Sequence, residues 1–555
     1  MAATDTSPDA RLVAPNQPPP LEGHNVFLAD AALREALDRE GGGWARDRAA
    51  AAGAVAGDGA WIERGAQANE HGPTLETFDR FGTRIDEVAF HPAWHELLAL
   101  HVEHGTHALA WQDPQPGAHV ARAALFITLS QLEAGVGCPV SMTYSVVPAL
   151  RRQPELAQAW EPRLRASTYE PRLDPPGGKA SALAGMAMTE KQGGSDVRAN
   201  LTVAEPRNGG GPGAEYGLTG HKWFCSAPMC DMFLVLAQAP GGLTCFLVPR
   251  MLPDGTRNVF RLQRLKDKLG NRSNASSEVE FDGTAAWMVG EEGRGVPTII
   301  EMVNHTRLDC VLGAAAGMRL GTAQAIWHAA HRSAFGRTLS EQPLMANVLA
   351  DLAVESEAAT VTALRLARAY DEAASGDDEA AAFRRLATAV AKYWTCKRAP
   401  MHAAEALECL GGNGYVEASG MPRLFRESPL NSIWEGSGNV QCLDVLRAMA
   451  GSRGALEALL IEIRSAQGAD ARLDAASASL EGELLDLAHA EPHARRIVER
   501  MALALQGSLL VRYGDPAVAD AFCASRLGGD GCFAFGTLPV GVDTAAIVAR
   551  HLPAA

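Results

Sequence analysis

The stretch Met186-Ala-Met-Thr-Glu-Lys-Gln-Gly-Gly-Ser-Asp-Val-Arg-Ala-Asn200 changes character halfway along. It begins apolar, like the end of a buried strand, then turns through Thr189, Glu190, Gly193, Gly194, Ser195 and Asp196. Paired glycines let backbone N–H groups come close to a ligand. The Thr189 and Ser195 hydroxyls can both donate and accept hydrogen bonds. Such a loop suits a flat cofactor with polar edges, or a phosphate. Taken alone, Gly-Gly-Ser-Asp also reads as a surface turn.

Around this stretch lie 555 residues, enough for three or four domains at roughly 150 residues each. Apolar content of 47% and charged content of 21% describe an ordinary globular chain. The net charge of -15 repels nucleic acid and anionic membrane unless a basic patch is segregated. No uninterrupted apolar run reaches the ~18 residues a membrane span needs. The N-terminus has no basic region followed by an apolar core, so no secretory signal is expected. Residues 1–20, ending in Pro18-Pro19-Pro20, read as a disordered arm. The 10 cysteines form no Cys-x-x-Cys pair, which fits reduced, buried thiols in a cytoplasmic protein.

Four textures follow in order. Residues 21–180 read as a helical domain, with Asp30 capping a first helix, a second over Val120 to Glu133 and a third over Pro139 to Leu150. His91 and His95 are four apart, but the carboxylate or third imidazole that a metal needs is missing, so no metal is expected. Residues 181–295 carry short apolar segments separated by turns, the pattern of an antiparallel β-domain. Within it, Arg264, Lys266, Lys268 and Arg272 form a basic turn that reads as either a solvated loop or an anion contact. Residues 296–450 read as a helical bundle, with helices expected over 298–303, 307–330, 344–370, 380–398 and 403–410. Residues 451–555 are again helical, with 9 Arg, no Lys and 13 Asp or Glu, a net charge of about −4 (9 − 13).

Four further stretches carry chemistry. Gly220-His-Lys-Trp-Phe-Cys-Ser226 is a strand with an aromatic ring and a hydroxyl. His331-Arg-Ser-Ala-Phe-Gly-Arg337 sets guanidinium groups, suited to phosphate, beside Phe335. Leu410-Gly-Gly-Asn-Gly-Tyr415 offers close backbone approach. Asn431-Ser-Ile-Trp-Glu-Gly-Ser-Gly-Asn439 puts one carboxylate beside Trp434 and before a Gly-x-Gly turn. Neither glycine stretch is the Gly-x-Gly-x-x-Gly fingerprint of a dinucleotide fold.

In this order, and with Leu265-Lys-Asp-Lys-Leu-Gly-Asn-Arg-Ser-Asn-Ala275, these motifs resemble the acyl-CoA dehydrogenase family, over roughly residues 21–449. The resemblance implies an α+β, mainly helical fold: an N-terminal helical domain, an antiparallel β-domain and a C-terminal helical bundle, here with an extra helical extension. It implies non-covalent FAD. Met186, Met188 and Thr189 would lie along the isoalloxazine, and Gly194 and Ser195 near the ribityl chain or phosphates. Phe224, Cys225 and Ser226 would meet the flavin from the next strand; Trp434, Gly436 and Gly438 would contact the cofactor from the bundle, with Ser437 and Asn439 at its adenine dinucleotide end. Arg332, Phe335, Gly411 and Gly412 would reach the FAD of a partner subunit, so a homodimer or dimer of dimers is expected.

The resemblance also implies the chemistry. Glu435 aligns with the family's base, which removes an α-proton from an acyl-CoA thioester while hydride leaves the β-carbon. Burial beside Trp434 should raise its pKa. His305-Thr306-Arg307, where some members carry the base instead, holds no acid. Thr189, Ser195 and Ser226 would also line the substrate. Lys191 stands where the family's usual loop has proline, a mark of a bacterial branch tied to the response to DNA alkylation, with at best feeble dehydrogenase activity. In that branch the C-terminal region resembles a DNA-binding domain; here Arg495, Arg496 and Arg500 would serve double-stranded DNA, against an acidic balance. Three functions therefore compete: a dehydrogenase-like flavoenzyme, a DNA-associated flavoprotein that destroys or excludes alkylating agents, and a flavin-stabilised scaffold.

Overall fold

The computed structural model describes residues 16–451, 453–485, 490–531 and 533–553. Most of the expected disordered arm lies outside these. Its last residues, 16–20, are instead held against the bundle: Trp327 Nε1 donates to the Pro19 carbonyl (2.8 Å) and Asn16 Nδ2 to that of Ser333 (2.8 Å). The nine described cysteines are buried and free of disulfides. No helix among the described residues is long and apolar enough to cross a membrane.

Two of the helices of the N-terminal region border the site. The first, α1 (Ala118–Leu129), is Ala/Leu-rich and buried on every side. Its orphan N-terminal amides are met from another part of the chain: Asp371 accepts from His119 N (2.9 Å) and Val120 N (3.1 Å). The second, α2 (Gly137–Leu150), touches the sheet through Thr143, whose hydroxyl accepts from the amide of Ala184 (3.0 Å). The helical texture hid one hairpin, β1 (Thr74–Phe78) paired antiparallel with β2 (Arg84–Ala89). The two spaced histidines do separate jobs: His91 caps a helix through Ala93 N (3.2 Å), and His95 bonds the Tyr169 hydroxyl (2.8 Å).

The β-domain contains β3 (Ala184–Ala187), β4 (Val203–Pro206), β5 (Glu215–Ser226), β6 (Met232–Ala239), β7 (Gly242–Pro249), β8 (Arg261–Leu265) and β9 (Ser276–Val289). The pairings β6-β4-β5-β9-β7 close on themselves through β6–β7, leaving β3 beside β6 and β8 beside β9. The expectation of a purely antiparallel domain fails at two places. β3 runs parallel to β6 from Ala184↔Met232 to Ala187↔Val235, and β4 is parallel to it at Val203↔Gln238. The reason is the loop 188–202. It is an excursion from one edge of β6, leaving that edge beside β3 and rejoining it at β4.

The excursion leaves Leu236 and Ala237 of β6 without a strand partner on that edge. Lys222 on β5 fills the gap: its Nζ donates to the Leu236 carbonyl (2.7 Å) and to Glu190 Oε1 (2.8 Å). Glu190 in turn ties the start of the loop to its end, accepting from Leu201 N (2.6 Å) and Thr202 N (3.1 Å). Both side chains of this ion pair are 0% exposed. Burial alone would raise the Glu190 carboxyl, but the Lys222 ammonium and these donors hold it down at about 2.

The bundle includes α3 (Gly295–His331), α4 (Pro343–Ala374) and α5 (Asp378–Cys409), then α6 (Gly438–Gly451), α7 (Ala494–Tyr513) and α8 (Thr544–His551). Helices expected as separate pieces over 298–303 and 307–330 are one, as are those over 380–398 and 403–410, which run through Pro400. Gly313, Gly317 and Gly321 on α3 let Asn431, Leu424 and Ala406 pack close, as the small-residue pattern implies. The C-terminal residues share one hydrophobic core with the N-terminal helices, from Val26 to Ile547. At the end of α8, Arg550 pairs with Glu35 (2.6 Å) and Glu357 (2.9 Å), and Arg319 Nη1 donates to the His551 carbonyl (3.3 Å).

Lys222→Met should cost about 3–5 kcal/mol, because it strands a buried carboxylate; urea denaturation measures this, and adding Glu190→Gln should recover much of the loss. The Glu190 carboxyl sits at about 2 in the fold against an ordinary 4.5. Its contribution is therefore complete above the ordinary value and fades as pH falls toward 2. Glu190→Gln should flatten that acid limb of the stability curve.

Candidate active site

A cavity of about 660 Å³ opens where the sheet meets the bundle. β3 contributes Met186, the loop Met188, Thr189, Gly194 and Ser195, and β5 Phe224 and Ser226. Trp434, Glu435, Gly436 and Ser437 enter from the turn before α6. Residues some 240 positions apart thus share one wall system. A methyl group on Gly194 would lie 2.4 Å from the Thr189 hydroxyl, so only glycine lets that hydroxyl face the cavity undisturbed. Phe224 is 53% exposed, an apolar ring facing open space.

Other expected residues sit elsewhere. The Cys225 side chain lies on the other face: strand alternation turns it away from Phe224 and Ser226 into the barrel core, where burial pushes its thiol up to about 12. Gly438 is buried against Tyr393, and Asn439 accepts from Arg495 Nε (2.8 Å). Arg332, Phe335, Gly411 and Gly412 line no part of the cavity. Gln17 joins this surface group, accepting from Arg332 Nη1 (3.2 Å) and Asn413 Nδ2 (3.0 Å), while Phe335 is 98% exposed. Of the basic turn, Arg264 and Lys266 both pair with Glu278 (2.8 Å each), and Lys268 reaches the cavity. The arginines read as DNA contacts are engaged within the chain: Arg496 and Arg500 both pair with Glu483.

Glu435 is presented by a strained turn. Its φ is +58, a left-handed conformation that costs a non-glycine residue about 1–2 kcal/mol. The turn holds this shape because its carbonyls are gripped. Lys392 Nζ donates to the carbonyls of Trp434 (2.8 Å) and Gly436 (2.5 Å). Gln441 Nε2 donates to those of Glu435 (2.9 Å) and Gly436 (3.1 Å), and Arg307 Nε to that of Glu435 (3.1 Å). Arg307 is itself fixed by Asp444 (2.7 Å).

The outcome is a carboxylate whose Oε2 is buried with no partner. Burial raises its pKa above the usual carboxylate value; Thr306, Lys392 and Arg307 pull the other way. Lys392, Gln441, Asp444 and the Glu190–Lys222 pair are the site's supports that sequence reasoning missed. A lysine inside an Ala-rich helix that is otherwise core was the available signal for Lys392.

The N-terminal region matches the adaptive response protein AidB N-terminal domain over residues 16–171. Residues 185–284 match the acyl-CoA dehydrogenase middle domain, and residues 293–450 its C-terminal domain. The chain is 46% identical to the AidB protein of Escherichia coli over 514 residues, covering 92% of this chain and 94% of that one. It is 32% identical to acyl-CoA dehydrogenase family member 11 of Caenorhabditis elegans over 411 residues, 71% of this chain and 65% of that one. A crystal structure of Caenorhabditis elegans ACDH-11 in complex with C11-CoA superposes with a TM-score of 0.83 at 28% identity, covering 94% of this chain and 93% of that one.

Lys392→Met should raise the pKa of Glu435, because the ammonium favours the charged carboxylate. On lowering the pH, protonation then begins at a higher pH than in the parent protein. The carboxyl band in infrared difference spectra, assigned with Glu435→Gln, reads the shift.

Proposed function

The chain belongs to the acyl-CoA dehydrogenase family of flavin-dependent oxidoreductases, and from that membership we propose that it binds FAD and dehydrogenates an acyl-CoA thioester at the α,β position, with Glu435 as the base. The observation that carries this reading is the unpartnered Oε2 of Glu435, held toward the cavity at the expense of backbone strain. Strain that the surrounding bonds over-determine is a mark of function.

The cavity suits the cofactor. The half-exposed Phe224 ring, with the Lys266 ammonium 4.5 Å from its centroid, offers a stacking face, and Thr189, Ser195 and Ser226 offer hydroxyls to polar edges. Met186 and Met188 supply the apolar side, and the Gly194 amide can approach closely. FAD, when bound, supplies the hydride acceptor. The protein's own task is the proton: Glu435 Oε2 accepts it from the α-carbon. A raised pKa strengthens the base against a weak carbon acid. Trp434 beside it excludes water, and Lys392, Gln441 and Arg307 keep the carboxylate in position.

The remaining family roles follow as parts of the same reading. Arg332, Phe335, Gly411 and Gly412 cluster away from their own cavity, which suits contact with the FAD of a second copy, hence a homodimer or dimer of dimers. Ser437, Gly438 and Asn439 would meet the dinucleotide end. The match to the adaptive response protein AidB supports a role in the response to DNA alkylation. Free, buried thiols support a cytoplasmic setting. The DNA-shielding alternative ranks second, because Arg495, Arg496 and Arg500 already have partners within the chain.

Under anaerobic conditions, short branched acyl-CoA thioesters should bleach the bound flavin. Glu435→Gln should slow that bleaching by about 10²–10⁴-fold while FAD stays bound; undiminished turnover would remove Glu435 from the reaction. Salt-dependent retention on duplex DNA that is lost on replacing the three arginines by Ala would establish the alternative instead.

A further inference from the structure

The cavity carries a second pair of carboxyl groups for which dehydrogenation has no use. Glu133, between α1 and α2, and Glu427, ahead of the Glu435 turn, both line it. Glu133 is 2% exposed. Its Oε2 accepts from the Val136 amide (2.9 Å) and its Oε1 from the Ser273 hydroxyl (2.7 Å), both neutral donors. Glu427 Oε1 accepts from Asn69 Nδ2 (3.4 Å), again neutral. Burial and the Glu133 carboxylate push Glu427 up to about 8, against the pull of Arg423 and Arg426.

Unmatched polar atoms adjoin this pair. Asn274 follows Ser273, is 1% exposed and lines the same cavity, yet its Oδ1 has no partner. Arg423 donates through Nη2 to the Leu132 carbonyl (3.1 Å), but its Nη1 is buried and unpartnered. Leaving such atoms unmet is costly in a folded protein, so they mark a place where something else binds. The atoms on offer are acceptors, the remaining lone pairs of Glu133 and Oδ1 of Asn274, beside one donor, Nη1 of Arg423.

We propose that the Glu133–Glu427–Asn274 wall recognises a hydrogen-bond-donating substituent on the acyl group, a hydroxyl or an amino group. The substrate is then a polar-substituted acyl thioester in place of a plain hydrocarbon chain. This rests on the acyl-thioester reading above. A hydroxyl can donate to Glu133 or Asn274 while accepting a hydrogen bond from Arg423 Nη1. An ammonium can donate to the same two acceptors. A carboxylate has no proton to donate to them.

The test is equilibrium binding to the FAD-loaded protein, read as perturbation of the flavin absorbance. The probes are acyl-CoA thioesters of matched chain length bearing a plain methyl end, a hydroxyl, an amino group or a carboxylate. The hydroxyl or the amino thioester should bind about tenfold tighter than either the plain or the carboxylate one. Which of the first two leads identifies the substituent. Glu133→Gln, with its flavin spectrum intact, should bring the ratio between substituted and plain thioesters to within about twofold, and Glu427→Gln should move it in the same direction. Equal or tighter binding of the plain chain overturns the proposal while leaving the dehydrogenase reading in place, as does an unchanged ratio in both variants. Failure of every thioester to perturb the flavin removes that reading and the proposal with it.

Discussion

The Glu190–Lys222 ion pair is the constraint on which the site depends. A loop that leaves a sheet edge must leave backbone groups of the adjacent strand unpaired. Here the Lys222 ammonium meets the Leu236 carbonyl, and Glu190 gathers the amides of Leu201 and Thr202 where the loop returns. With both ends anchored, the span between them is free to carry Thr189, Gly194 and Ser195 to the cavity. Buried charges are costly, and apolar side chains could fill the same volume. They could not satisfy a stray carbonyl and two amides together, which accounts for an ion pair here.

The second half of the site follows the same logic with the strain made visible. Glu435 occupies a backbone region that glycine would adopt more easily, and its two neighbours' carbonyls are held by Lys392 and Gln441. Lys392 comes from α5 and Gln441 from α6, so the turn is fixed only when those helices are packed. The bundle thus does more than shelter the cavity; its packing energy keeps a carboxylate in a pose that the local chain would abandon.

Much of this was legible because several functional groups sit in contiguous runs. Met186 to Ser195 and Phe224 to Ser226 each place side chains on one face over a few residues, and strand alternation relates them directly. Alternation also puts the Cys225 side chain on the opposite face from its neighbours. What the sequence hid were pairings across the chain. Lys222 stood in plain view, but nothing local says that it meets Glu190 beneath a sheet edge. Lys392 and Gln441 were equally opaque, since helical spacing gives a face and not the element that covers it. The hairpin of β1 and β2 was lost because short alternating segments are weak signals inside a helix-rich region, and Pro400 suggested a break that tertiary packing overrides.

The contacts of α8 bear on how the chain is made. Arg550 reaches Glu35 across 515 residues of sequence, and the hydrophobic core spans nearly the same interval. At ordinary rates of synthesis, roughly 25 to 100 s separate the emergence of the two partners from the ribosome. During that interval the first helices have no final cover, and Arg319 lacks the His551 carbonyl that later receives it. The N-terminal domain therefore depends on a protective holding state or a partly formed core until translation is nearly finished. Shortening the chain at its far end would be felt first at its beginning.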